Sequence, residues 1–313
     1  LVITTWLTER FNLSLPLIAA PMGGTANGSF AAEVARNGAL GMIAVGSRAT
    51  PDWVEQEAAS LPPSTKRWGI GALAWIVDQR PELLEAALAA KPPLLSISYG
   101  PYARHLDTIR NAGSVVTTQV GTLAEAQEAE QAGFDFLVVR GGEGGGHGRN
   151  VMATLPLLQE VLDRVELPVV AAGGIANRRG LAAVLAAGAV GGWVGTAFLG
   201  CAETAWTDQA RDRVISAVDG DTIYTRSFDS GLQLDWPPEF GGRALRNSFS
   251  REWHEREPVS KEAKTQMAAA VTDRNYEIAP LWAGQGVSLL DARRTVAEVA
   301  EEFARAEELL RRW

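Results

Sequence analysis

The segment 140–150 reads RGGEGGGHGRN, and in it His147 is the side chain best suited to chemistry. An imidazole titrates near neutral pH, so it can take or give a proton during a reaction. Glycines flank Glu143 and His147 on both sides and supply no side chains for burial. Their use here is to let the backbone bend sharply or lie flat against something. His147 is therefore read as a catalytic or substrate-binding residue on a ligand surface.

The other reactive types carry less. His105 falls in a helical stretch and His254 in the polar run REWHERE, where packing or solvent accounts for each. No histidines and carboxylates have the spacing of a metal site. Cys201 has no second cysteine to pair with, which points to a reducing, cytoplasmic setting. The net charge of −8, with no long Lys/Arg run, argues against nucleic acid or an anionic membrane as partner and for a small molecule. Residues 1–21 lack the pattern of a secretory leader, and no apolar stretch has the length of a membrane span. A homo-oligomer is compatible with all of these features.

A residue such as His147 needs a scaffold, and the chain has the rhythm of one. Eight short apolar runs, at 16–20, 40–45, 68–73, 94–98, 114–119, 134–139, 168–172 and 190–194, are bounded by glycine or proline. Each is apolar throughout rather than alternating, as in strands covered on both faces. Helical spacing fills the gaps at 30–37, 53–61, 81–90, 103–112, 123–133, 155–165 and 178–188, with Gly38, Gly113, Gly133 and Gly188 as left-handed stops. The pattern predicts an α/β fold, a (β/α)₈ barrel occupying the whole chain, with an open doubly wound sheet as the alternative. An irregular excursion at 219–258 suits a lid, a subunit contact or a plain surface loop, and helical spacing returns at 205–218, 261–271 and 289–313.

In such a barrel the loops after strands seven and eight commonly bind phosphate. Here they read AAGGIANRRG and GGWVGTAF. Gly173, Gly174 and Gly195 let amides approach an anion, Thr196 adds a hydroxyl, and the following helix starts offer N–H groups.

With PLIAAPMGG, TTQVGTLAEA, RGGEGGGHGR, PVVAAGGIA, WVGTAF and PLWAGQG in order, the chain resembles the nitronate monooxygenases, formerly 2-nitropropane dioxygenases, a family of FMN-dependent barrels. The resemblance runs over 16–198 and returns at 280–286. It implies that Pro21, Met22 and Gly23 lie against a flavin ring, with Gln119 and Gly145 adding contacts. Gly173, Gly174, Gly195 and Thr196 would meet the FMN phosphate beside Val194, Trp282 and Gln285 would close the site, and His147 would face the substrate. Family members commonly have glutamine at Arg140, alanine at Gly144 and asparagine at the end of strand three. Arg140 would then either favour an anionic reduced flavin or pair with Glu143 or another acid.

The resemblance implies oxidation of alkyl nitronates by FMN and O₂ to carbonyl compounds and nitrite. Two alternatives are an NAD(P)H-dependent reductase of quinones or enoyl thioesters, and a flavin- or phosphate-binding protein without turnover.

Overall fold

The computed structural model describes residues 3–62, 64–256 and 258–312. Leu1 and Val2 of the stretch 1–21, Glu257 of the excursion and Trp313 of the terminal segment lie outside them, as does Pro63.

All eight apolar runs are parallel strands of one closed barrel: β1 (Leu17–Ala19), β2 (Leu40–Val45), β3 (Trp68–Leu73), β4 (Leu94–Ser98), β5 (Val115–Val120), β6 (Phe136–Arg140), β8 (Val169–Ala172) and β9 (Gly191–Val194), with β7 (Gly146–Gly148) outside it. Closure is made by β9 against β1, with Ile18 opposite Trp193. The open sheet is thereby excluded. The uniform apolarity has the cause expected of it. Side chains such as Ile18, Met42, Leu94, Phe136, Val138 and Trp193 form one buried cluster, which Leu7 and Phe11 of an N-terminal helix join. The alternate side chains, Leu17, Ile43, Ile70, Leu95, Leu137 and Ala171, pack with the surrounding helices in a second cluster. Gly38, Gly113, Gly133 and Gly188 all have positive φ, between 84° and 110°, as their stop role requires.

Two helices, Trp6–Phe11 and Ala74–Gln79, were not visible as periodic segments because each is only 6 residues long. The run 103–112 divides into a 3-10 turn, Tyr102–His105, and a helix, Leu106–Asn111. In that turn the partly buried His105 pairs with Asp78 at 2.8 Å. The C-terminal helices Val296–Ala304 and Ala306–Leu310 lie on the barrel's outer helices, pinned by Arg178 to Glu302 at 2.6 Å.

The stretch 219–258 is more regular than its composition suggests. It holds β10 (Thr222–Thr225), the helix Ser227–Leu232, β11 (Gly241–Leu245) and the helix Ser248–Trp253. The order β10-β11-β7 makes a three-stranded antiparallel sheet, in which Gly242 lies opposite His147. The glycine-rich loop after β6 is thus tied into the excursion by backbone pairing. No helix among the described residues is long and apolar enough to cross a membrane.

Candidate active site

At the C-terminal ends of the strands lies a cavity of about 750 Å³, within the usual range for small-molecule and cofactor sites. Pro21, Met22, Gly23, Gln119, Arg140, Gly145, His147, Gly173, Gly174, Gly195, Thr196 and Trp282 share its wall. Val194 and Gln285 do not. The Val194 side chain belongs to the barrel–helix core and its carbonyl accepts from Ala20 N at 2.8 Å. Gln285 contributes its backbone N–H to the Glu143 carbonyl at 2.9 Å, bracing the loop from behind.

The wall is built to bring backbone close to a guest. At Gly23, Gly24 and Gly146 a Cβ would meet nothing within 4 Å, so the missing side chains leave open room at the chain itself. Gly71 does the opposite service, since a Cβ there would stand 2.4 Å from the Pro21 ring that packs on it. Gly145 has backbone of Ala283 and Gly284 within 3.0 Å of where its Cβ would be, which joins the loop after β6 to the segment carrying Trp282.

Gly173 and Gly174 both have positive φ, 103° and 70°. The N–H groups of Gly174 and Ile175 donate to no protein acceptor among the described residues, and both residues line the cavity. Thr196 Oγ1 accepts from Gly284 N at 2.9 Å, which leaves its own hydrogen to donate. The helix start after β8 behaves otherwise than expected. Asn177 caps it and takes the N–H groups of Arg179 and Gly180, so the open amides come from the glycine turn before the helix.

Arg140 is only 5% exposed and lines the cavity, and it does not form the ion pair with Glu143 or another acid that was one of the two expectations for it. Its Nη2 donates to the carbonyls of Gly144, Gly145 and Gly146 at 2.8, 3.2 and 2.9 Å. Among the described residues no carboxylate lies within ion-pair distance of it. Glu143 instead accepts from Thr154 N at 3.0 Å, holding the start of the helix Thr154–Leu162 where a negative charge is favoured. Burial pulls the Arg140 guanidinium below its ordinary value, while Tyr99, Tyr224 and Glu143 oppose that fall. A second guanidinium, Arg243 of β11, donates to the Gly142 carbonyl at 2.9 Å and to Asn150 Oδ1 at 3.1 Å. The loop around His147 is therefore clamped by two buried arginines.

His147 has three close neighbours that sequence reasoning missed. Its Nε2 lies 2.8 Å from Oδ1 of Asp229, a residue 2% exposed in the helix Ser227–Leu232. Its ring stacks on Trp236 at 3.7 Å and 3°, and tilts against Trp282 at 4.7 Å. The Tyr99 hydroxyl donates to its carbonyl at 3.0 Å. Tyr99 directly follows β4 with φ 66°, an uncommon conformation for an aromatic residue and one often found at functional sites. Its place at a strand end was the available signal. Asp229 and Trp236 gave none, being far from His147 in sequence.

Burial pushes the Tyr99 phenol from 10.0 up to about 12, the nearby Arg140 charge opposing it. Its neutral form is thus favoured by folding, and the stability tied to it is complete below about pH 10 and drains as pH rises through about 12. Tyr99→Phe should cost about 1 kcal/mol at neutral pH, for the lost hydrogen bond to His147. It should also flatten the fall in melting temperature across that alkaline range, as thermal melts in a pH series would show. Cys201 is buried, and burial pushes its thiol up to about 12, so it is no nucleophile at neutral pH.

A model of the nitronate monooxygenase family matches the chain over residues 4–82 and 73–305. A "(3aS,4S,5R,7aS)-5-hydroxy-7a-methyl-1-oxo-octahydro-1H-indene-4-carboxyl-CoA dehydrogenase" of Rhodococcus jostii is 35% identical over 228 residues, 72% of this chain and 63% of that protein. A solved structure of a nitroalkane oxidase from Streptomyces ansochromogenes has a TM-score of 0.80 at 29% identity, covering 97% of this chain and 99% of that one. FabK from Thermotoga maritima has a TM-score of 0.87 at 25% identity, covering 99% and 98%.

Proposed function

The chain belongs to the nitronate monooxygenase family of oxidoreductases, and from that premise we propose that it oxidises alkyl nitronates with FMN and O₂, giving carbonyl compounds and nitrite. The observation that carries this reading is the shared wall: glycine backbone open to a flat guest, unpaired amides after β8, and His147 all face one cavity. The residues fit FMN. Gly173, Gly174, Gly195 and Thr196 would hold its phosphate, while Pro21, Met22, Gly23, Gln119 and Gly145 would lie along its ring.

When bound, FMN supplies the acceptor for the substrate's electrons and their route to O₂. The protein's own part is positional and acid–base. His147 orients the nitro group, or removes the α-proton when the neutral nitroalkane binds. The tryptophans at 236 and 282 fence its ring from bulk water, and Arg140 holds the carbonyls of its loop in place.

Purified protein is expected to be yellow, to contain FMN, and to lose its visible absorbance when mixed anaerobically with an alkyl nitronate. Nitrite should then appear when air is admitted. An unchanged spectrum with a series of nitronates would sink the reading. Rapid bleaching by NADH or NADPH alone would instead favour a reductase of quinones or enoyl thioesters. The resemblance to a protein named as a dehydrogenase of a CoA ester makes that second reading worth the same cuvette.

A further inference from the structure

The carboxylate beside His147 is almost wholly buried and only half satisfied. Asp229 is 2% exposed, its Oδ1 lies 2.8 Å from Nε2 of His147, and its Oδ2 is buried with no hydrogen-bond partner among the described residues. An acid with half of its acceptor capacity unmet is costly to keep. No cation other than the imidazole is paired with it among the described residues. On the ring, Nδ1 has no hydrogen-bond partner among the described residues, and the residue lines the cavity.

We infer that Asp229 is a positioning residue that fixes the tautomer of His147, and that this lets the site accept the neutral nitroalkane as well as the preformed nitronate. The inference rests on the function proposed above. Held against a carboxylate oxygen, Nε2 is the donor and carries the hydrogen, so Nδ1 is left with a lone pair. Nδ1 then takes the α-proton. The C–H bond breaks, its electron pair becomes the C–N π bond of the nitronate while the N–O π pair moves onto a nitro oxygen as negative charge, and the proton forms an N–H bond at Nδ1. The imidazolium produced is balanced by Asp229 and lies flat on Trp236, whose ring face attracts a cation. Trp236 and Asp229 come from the same short stretch between β10 and β11, so the excursion supplies both supports. A preformed nitronate has already lost the proton and needs no such base.

Two measurements test this. The chain has three histidines, so the ring nitrogens of His147 can be assigned in a ¹H–¹⁵N spectrum by their loss in His147→Gln. At alkaline pH the neutral ring of the wild-type protein should be the Nε2–H tautomer. In Asp229→Asn, whose amide can donate to Nε2, the Nδ1–H tautomer should gain population. With that change kcat/KM for a neutral nitroalkane should fall by about 10²- to 10⁴-fold, the range spanned by general-base and wrong-tautomer effects, and at least tenfold further than kcat/KM for its nitronate. A wild-type Nδ1–H tautomer would overturn the assignment, and so would equal losses on both substrate forms. If Asp229→Asn does not fold, the wild-type tautomer still decides. If the wild-type enzyme bleaches with neither substrate form, the proposed function fails, and the tautomer measurement alone upholds or overturns the role of Asp229.

Discussion

His147→Ala will retain flavin and lose turnover of neutral nitroalkanes, with kcat/KM lowered by about 10²- to 10⁴-fold, the usual contribution of a positioned proton acceptor. The separation of the two properties follows from where the contacts lie. The open amides proposed to hold the phosphate belong to the turn after β8 and the hydroxyl to Thr196, whereas His147 stands on β7 against the excursion. Removing the imidazole leaves Asp229 facing a gap beneath Trp236, so a small loss of stability should accompany the kinetic loss. Flavin content by absorbance and anaerobic stopped-flow reduction by nitroethane report the two properties independently. Loss of flavin together with activity would instead make His147 part of the cofactor's hold. Undiminished nitroalkane turnover would remove it from the chemistry altogether.

The second large effect is structural. Arg140→Met keeps most of the side-chain length but withdraws every donor from the carbonyls of Gly144, Gly145 and Gly146. Hydrogen bonds from a charged group contribute about 1.5–3 kcal/mol each, and buried acceptors left unmet add to the loss. A decrease of roughly 3–5 kcal/mol is expected, seen as a fall in melting temperature on the order of 5–10 °C. Since the same loop carries His147, activity should fall even in protein that remains folded. Arg140→Gln restores a neutral donor and should recover part of both losses. A melting temperature unchanged in Arg140→Met would show that the loop is held by β7 pairing and Arg243 alone.

The barrel was legible because its signal is local. A strand buried on both faces must be apolar at every position, and a helix that stops at a left-handed turn calls for glycine, so runs such as LGMIAV and stops such as Gly188 mark themselves. The antiparallel sheet over the barrel mouth offers no such mark. β7 is Gly-His-Gly, with almost no side chain to pattern, and it exists only because β11 pairs with it across the chain. The site divides in the same way. Backbone contributions come from glycines, whose clustering is visible in one dimension. Asp229 is one aspartate among many, 82 residues beyond His147, and only folding reveals its isolation from water. Arg140 was visible as an oddity, but its charge suggested an anion as partner, whereas it is satisfied by carbonyl oxygens.

The pairing of His147 with Asp229 also makes the site a long-range product of the fold. Most neighbouring strands of the barrel close short loops, but the seam joins Ile18 to Trp193, His147 meets Asp229 across 82 residues and Arg243 meets Gly142 across 101. Long closures cost more chain entropy and tend to form later. The barrel seam and the His147–Asp229 pair therefore both rest on long closures, and the geometry around His147 is completed only as distant segments of the chain come together.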